Sequence, residues 1–158
     1  MDHVSTGQFQ IRRMQPDEAD AVRALILEGL REHWGTIDPG LNRDLDDLEA
    51  AGGDRLVLVA MDGPHVVGTG TIVRRSEHCA EIVRMSVDVG HRRCGLGRLL
   101  VAELVAAARQ WRVERLVLET TASWAAVVRF YERSGFALTH FTEGEFGRDA
   151  WFEMKLAG

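Results

Sequence analysis

Three groups of residues in this chain have the types and spacing to do chemistry. The first is the stretch 87–98, VDVGHRRCGLGR, in which a predicted strand ends in a loop rich in Arg and Gly that runs straight into an apolar helix. Amides at such a junction lack internal partners and carry the positive end of the helix dipole, so they bind phosphate. Arg92, Arg93 and Arg98 add fixed charge, and Gly95 and Gly97 let a ligand approach backbone where a Cβ would stand. The second is Tyr131, the single tyrosine, on the helical stripe Trp124, Val127, Val128, Tyr131. A phenol with a pKa of about 10 is a suitable proton donor to a departing anion. The third is a pair of strand carboxylates, Glu81 and Glu119. Period-two spacing puts Glu81 on one face with Val83, Met85 and Val87, unless a bulge interrupts the strand. A carboxylate facing an apolar row has a raised pKa and serves as a base near neutrality.

The elements that must hold these residues alternate along the chain. Residues 9–13 form a first strand, and Pro16 opens a helix to residue 33 with the stripe Ala21, Val22, Leu25, Ile26 and Leu30. A turn at 38–40 precedes a short acidic helix over 41–50, which Gly52 and Gly53 end. Strands at 55–61 and 65–75 join through the hairpin signal Asp62-Gly63-Pro64, and a fourth strand covers 80–89. A helix over 96–111 leads to a fifth strand at 115–121. Ser123 is placed to cap a helix that runs to Ser134, with Gly135 as its left-handed stop. Strands at 136–141 and 151–156 finish the chain, with a polar loop over 143–149 between them. The fold class is α/β of the α+β type, a mixed and mostly antiparallel sheet of about seven strands flanked by about four helices.

Composition narrows the function classes. The 158 residues suit one domain, 1–158. Nineteen basic and 24 acidic residues give a formal net charge of −5, and the basic cluster is local, at 92–98, which argues against nucleic acid as a partner. The start of the chain lacks the apolar core of a signal peptide, and the longest apolar run, 56–61, is too short to span a bilayer. Two cysteines, Cys79 and Cys94, fit a reduced cytoplasmic protein.

Three phosphate loops compete for the stretch 92–97. A dinucleotide loop would need a third glycine where Leu100 stands, and a P-loop would need a Gly-Lys-Ser/Thr ending. The spacing Arg/Gln-x-x-Gly-x-Gly/Ala of an acyl-CoA loop is met in full by Arg92-Arg93-Cys94-Gly95-Leu96-Gly97. With the Val87-to-Arg92 spacing and the downstream Phe130-Tyr131-x-x-x-Gly135-Phe136, the chain resembles the GNAT superfamily of N-acetyltransferases over about residues 54–136.

The resemblance implies that the fourth and fifth strands splay into a V that holds the pantetheine arm. The backbone at Val87, Asp88 and Val89 would bind the arm, and Arg92 with the amides of Arg93, Cys94, Gly95, Leu96, Gly97 and Arg98 would bind the pyrophosphate. Val87 N–H would stabilise the oxyanion, and Tyr131 would protonate the thiolate. Glu81 would be the base, as in histone-acetylating members of the family, with Glu119 as runner-up. His78, His91 and Asp88 are weaker candidates, and Cys94 is a small loop residue with no base spaced to activate it. Trp124 and Val127 stand where the family usually has Asn and Ala, so Ser123 or a water would replace the missing amide contact to pantetheine, or Trp124 would cover the arm. Residues 33–35, the acidic Asp44, Asp46, Asp47 and Glu49, and the loop 143–149 would shape the acceptor site.

The implied activity is acetyl-CoA-dependent transfer to a primary amine of a small molecule or peptide, by direct attack in a ternary complex. It needs no metal and no covalent intermediate, and engages neither nucleic acid nor membrane. A homodimer is left open. The alternative is a non-catalytic acyl-CoA-binding regulatory module.

Overall fold

A computed structural model describes residues 3–6, 9–34, 54–92, 94–144 and 147–156. The chain passes through β1 (His3–Thr6), β2 (Phe9–Arg13), α1 (Ala19–Trp34), β3 (Arg55–Asp62), β4 (His65–Arg74) and β5 (Cys79–Val87). It continues through α2 (Leu96–Gln110), β6 (Arg115–Thr121), α3 (Ala125–Arg133), β7 (Ala137–Gly144) and β8 (Gly147–Lys155). The eight strands form one sheet in the order β1-β2-β3-β4-β5-β6-β8-β7.

Alternation sorts the core into two layers. Central strand β3 is buried along Leu56–Met61, and its residues divide by parity, as pleating requires. Leu56, Leu58 and Ala60 join Leu96, Leu100 and Leu104 of α2. Val57, Val59 and Met61 join Ala19, Val22 and Ile26 at the base of α1. Leu100 and Leu104 of the α2 stripe have no exposed surface, and truncating such a leucine to alanine costs about 2–5 kcal/mol. The helix that carries the phosphate loop is therefore fixed to the sheet by its own apolar face.

Two irregularities open the sheet where the chemistry is expected. Strand pairs are antiparallel except β5 with β6, which run parallel. These two pair only at Cys79↔Arg115, Ala80↔Leu116 and Glu81↔Val117, and past that point they part into the expected V. On its other edge β5 pairs with β4 as Thr71↔Val83 and then Thr69↔Ser86. Two residues, Arg84 and Met85, thus oppose Gly70 alone, and Arg84 takes the left-handed φ of 54°. This β-bulge reverses the faces of the strand beyond it.

Several boundaries differ from the sequence reading. A strand at His3–Thr6 adds an eighth member by pairing with β2. Three α-helices are present among the described residues, and the acidic helix expected over 41–50 lies outside them. Strand β5 ends at Val87, two residues early, because the Asp88 carboxylate accepts from Gly90 N–H (3.2 Å) and winds Val89–His91 into a 3-10 turn. The last hairpin is longer than expected. Polar residues read as loop pair across it as Thr142↔Asp149 and Glu143↔Arg148, and Gly147 adopts a φ of 113° at the turn. Ser123 is not the cap of α3: the helix starts from Trp124 with no side-chain cap, and Ser123 is exposed. No helix among the described residues is long and apolar enough to cross a membrane.

Candidate active site

The parted strands enclose a cleft of about 670 Å³. Residues 82–87 of β5 form one wall, 118–121 of β6 the other, and α1, α3 and Asp149 of β8 complete it. Strand β5 offers the cleft an edge of unpaired backbone. Asp88 N–H bonds to Val67 O of β4 (2.8 Å), so by ladder alternation the Val87 N–H and C=O point the other way, into the gap. The Val87 carbonyl accepts from Arg92 Nε (3.1 Å), which folds that arginine over the end of the cleft. Val89 has left the ladder and is 68% exposed.

At this end stands the N-terminus of α2. Gly95 precedes it with a φ of 86°, a conformation that suits glycine, and no side chain caps the helix. The first intrahelical bond runs from Leu99 N–H to Gly95 O (3.1 Å), which leaves the amides of Leu96, Gly97 and Arg98 without helical partners. Leu96 turns its side chain into the core and Arg98 is exposed. Gly97 also sits close to α3: a Cβ there would fall 3.3 Å from Phe130 Cζ, a tight contact that the ring would have to relieve. Arg93 lies outside the described residues. The Cys94 thiol is exposed and donates to His91 O.

His91 ties the loop to the sheet. Its Nδ1 lies 2.9 Å from Asp88 Oδ2, its Nε2 3.3 Å from Asp62 Oδ2 at the end of β3, and its ring meets Phe9 edge-on at 6.0 Å. The hydrogen bonds to the Asp88 and Asp62 carboxylates raise the His91 pKa, and His91 lowers that of Asp88. His78 is remote from the cleft, exposed beside Glu77 and Glu114.

Opposite the loop, α3 presents Trp124, Val127, Phe130 and Tyr131 to the cleft. Tyr131 is 7% exposed and is held edge-on between Phe130 and Phe136, at 5.1 and 6.1 Å. Burial raises the pKa of its phenol, so the group stays protonated and keeps a proton to donate. No described residue hydrogen-bonds that phenol.

The two candidate bases part company. Glu81 was expected to share a face with Val83, Met85 and Val87, but the bulge breaks that row. Met85 lies against the position of Gly70 and Leu104, and Val87 near Gly97, both on the α2 side. Ser86 turns to α1, where its Oγ donates to Leu25 O (3.3 Å). Glu81 is bonded by Arg75 Nε (2.8 Å) and does not line the cleft. Glu119 does line it. Although part of Glu119 remains open to solvent, desolvation raises its pKa, helped by the nearby charges of Asp149 and Glu81 and opposed by Arg75.

Asp149 belongs to the stretch 143–149 that was expected to shape the acceptor site, though it was not named as a site residue by itself. Its place opposite Thr121 in the β6–β8 ladder brings it into the cleft. The acidic residues Asp44, Asp46, Asp47 and Glu49 lie outside the described residues. No group of three or more His, Cys, Asp or Glu able to hold a metal occurs among the described residues.

A sheet split beside a bare helix N-terminus, with a buried phenol on the opposite wall, defines an acyltransferase framework. The model of the acetyltransferase (GNAT) family matches residues 19–136, and the chain belongs to that family. Solved structures agree in fold. A GNAT-family acetyltransferase from Staphylococcus aureus Mu50 superposes with a TM-score of 0.82 at 17% identity, covering 94% of this chain and 99% of its own. The protein yncA of Salmonella typhimurium, solved with its cofactor acetyl-CoA, gives 0.78 at 21% identity, with 96% and 95% covered. A GNAT-family acetyltransferase from Elizabethkingia anophelis with acetyl-CoA bound gives 0.72 at 14%, with 96% and 100% covered. Among curated proteins, none is similar enough in sequence to count as a relative.

Proposed function

We propose that this protein transfers the acetyl group of acetyl-CoA to a primary amine, by direct attack within a ternary complex. The observation that carries the reading is the parted β5–β6 pair: it exposes the Val87 backbone between the α2 N-terminus and the buried Tyr131 phenol. The α2 amides, with Arg92 and Arg98, suit the pyrophosphate. The Val87 N–H suits an oxyanion donor, since a backbone group fixed in a strand needs no reorganisation as charge develops.

In this scheme Glu119 takes the proton that makes the entering ammonium a nucleophile, the nitrogen attacks the thioester carbon, and the carbon–sulfur bond breaks. Tyr131 gives its proton to the departing sulfur. The proton shed by the new amide nitrogen balances it, so the products are an N-acetyl amide and the free thiol. Glu119 is preferred to Glu81 because it lines the cleft with a raised pKa, whereas Glu81 is paired with Arg75.

The test is thiol release from acetyl-CoA across a panel of amines, with products identified by mass spectrometry. Amine-dependent release together with an acetylated amine is expected. CoA binding without release for any amine would instead establish a non-catalytic acyl-CoA-binding module.

A further inference from the structure

The sheet stops at β7 with its edge uncovered. This strand is last in the order, so β8 pairs with one of its edges and the other is open. In an antiparallel strand alternate residues turn their N–H and C=O to that open side. Residues 137–143 are all exposed, and the strand, ALTHFTEG, has neither the proline nor the lysine that commonly guards an edge.

The apolar side chains of β7 continue the core. Leu118 of β6 and Phe152 of β8 stand opposite one another and are buried. Leu138 is next in that row, opposite Phe152, and is 46% exposed. Phe141 stands opposite buried Ala150, which shares a face with Phe152. The extra residue Thr139 between the two pairings brings Leu138 and Phe141 onto that same face. Arg148 lies over one side of the Phe141 ring at 4.3 Å, and Phe141 is still 43% exposed. Of the three exposed large hydrophobic residues among the described ones, β7 thus holds two.

Charge says what fits this edge. Glu143, the single acidic residue of β7, lies near its far end on the face of Phe141. At the near end Arg133 closes α3, which packs on that face through Tyr131 and Phe136. Both charges are exposed, and among the described residues neither forms an ion pair. A second copy laid antiparallel along β7 brings each Glu143 to the start of the other strand, beside Arg133. A parallel copy would set Glu143 against Glu143, a destabilising pair. Joining β7 to the opposite edge strand, β1, would be head to tail and would grow without closing.

We infer that β7 pairs with β7 of a second copy about a two-fold axis along the sheet normal, which joins the two sheets into one. With Leu138 opposite the partner's Phe141, the apolar pair is made twice and each Glu143 meets the partner's Arg133. The cleft lies between β5 and β6, on the far side of β8, so it stays open in the dimer.

Sedimentation equilibrium over the micromolar range should show the mass of two 17.6 kDa chains, dissociating on dilution. Leu138→Lys sets a charge in both apolar pairs and should weaken the dimer by about tenfold or more, with circular dichroism and CoA affinity as in wild type. Glu143→Arg should weaken it as well, and adding Arg133→Glu should restore it. A wild type that is monomeric throughout, or a dimer indifferent to Leu138→Lys and Glu143→Arg, overturns the proposal. If Leu138→Lys does not fold, amide hydrogen exchange of wild type decides. Amides of β7 that gain protection as concentration rises support the dimer, and amides of β7 that exchange equally fast at every concentration overturn it.

Discussion

The two ends of the cleft are made of different material. At the α2 end the groups that face a ligand belong to the backbone: the Val87 N–H and the amides of Leu96, Gly97 and Arg98. Elsewhere in the cleft they are side chains: Tyr131 of α3, Glu119 of β6 and Asp149 of β8. A backbone site depends on conformation, so it fixes which positions are glycine and how far apart they stand. A side-chain site asks only that the right group sit on the right face, which any strand of suitable register can supply.

Substitutions at the side-chain end should therefore change chemistry and leave CoA binding intact. The largest effect is expected for Tyr131→Phe, which removes the proton donor and keeps the ring packed against Phe130 and Phe136. Turnover should fall by about 10²–10⁴-fold with the CoA dissociation constant unchanged. Wild-type turnover in this variant would take Tyr131 out of the mechanism.

Next comes Glu119→Gln, with a loss of about 10²-fold. Because the base must be ionised, wild-type activity should fall as pH drops through a value above the ordinary carboxylate 4.5. Glu119→Gln should lack that acid limb, and a limb that persists would assign it to another group. Glu81→Gln should be milder, about fivefold or less, as expected for loss of a pair whose arginine is half exposed. A deeper loss here than in Glu119→Gln would reverse the choice of base.

The smallest effect concerns the pin between the loop and the sheet. The His91 pKa is raised above 6.5 by Asp88 and Asp62. Protonation is thus favoured in the folded state, and the stability it adds is complete below pH 6.5 and lost as pH rises through the raised value. The gap in urea midpoint between wild type and His91→Ala should be widest on the acid side, above the range where Asp88 itself protonates, and should narrow as pH rises. A gap constant with pH would mean that the ring acts through its contact with Phe9 alone.

The same contrast decides what the sequence revealed. The order of strands along the chain, the α2 helix and its loop were legible, because their constraints are local: Gly95 must adopt a positive φ and the α2 stripe must face the sheet. The faces of β5 were not. Alternation carries parity along a strand only until a bulge, and the one at Arg84 and Met85 depends on packing opposite Gly70 that no residue pattern announces. The row drawn through Glu81, Val83, Met85 and Val87 broke for that reason, while Glu81 itself lies before the bulge, opposite Val117 and bonded by Arg75. The stretch 143–149 was expected at the acceptor site but read as loop, because polar residues in a two-stranded hairpin look like one, and the ladder with β6 brings Asp149 to the cleft. Trp124 was read as standing at an unusual position and does line the cleft, but the N-cap expected of Ser123 fell to it instead.

The account rests on CoA phosphates meeting the backbone donors at the start of α2, and a calorimetric titration of CoA tests that most directly. Wild type should bind CoA at one saturable site. Arg98→Glu, exposed and clear of the core, should weaken binding steeply. Gly97→Glu, which also crowds Phe130, should abolish it while circular dichroism shows the protein still folded. CoA binding of equal strength in wild type and both variants would contradict the account.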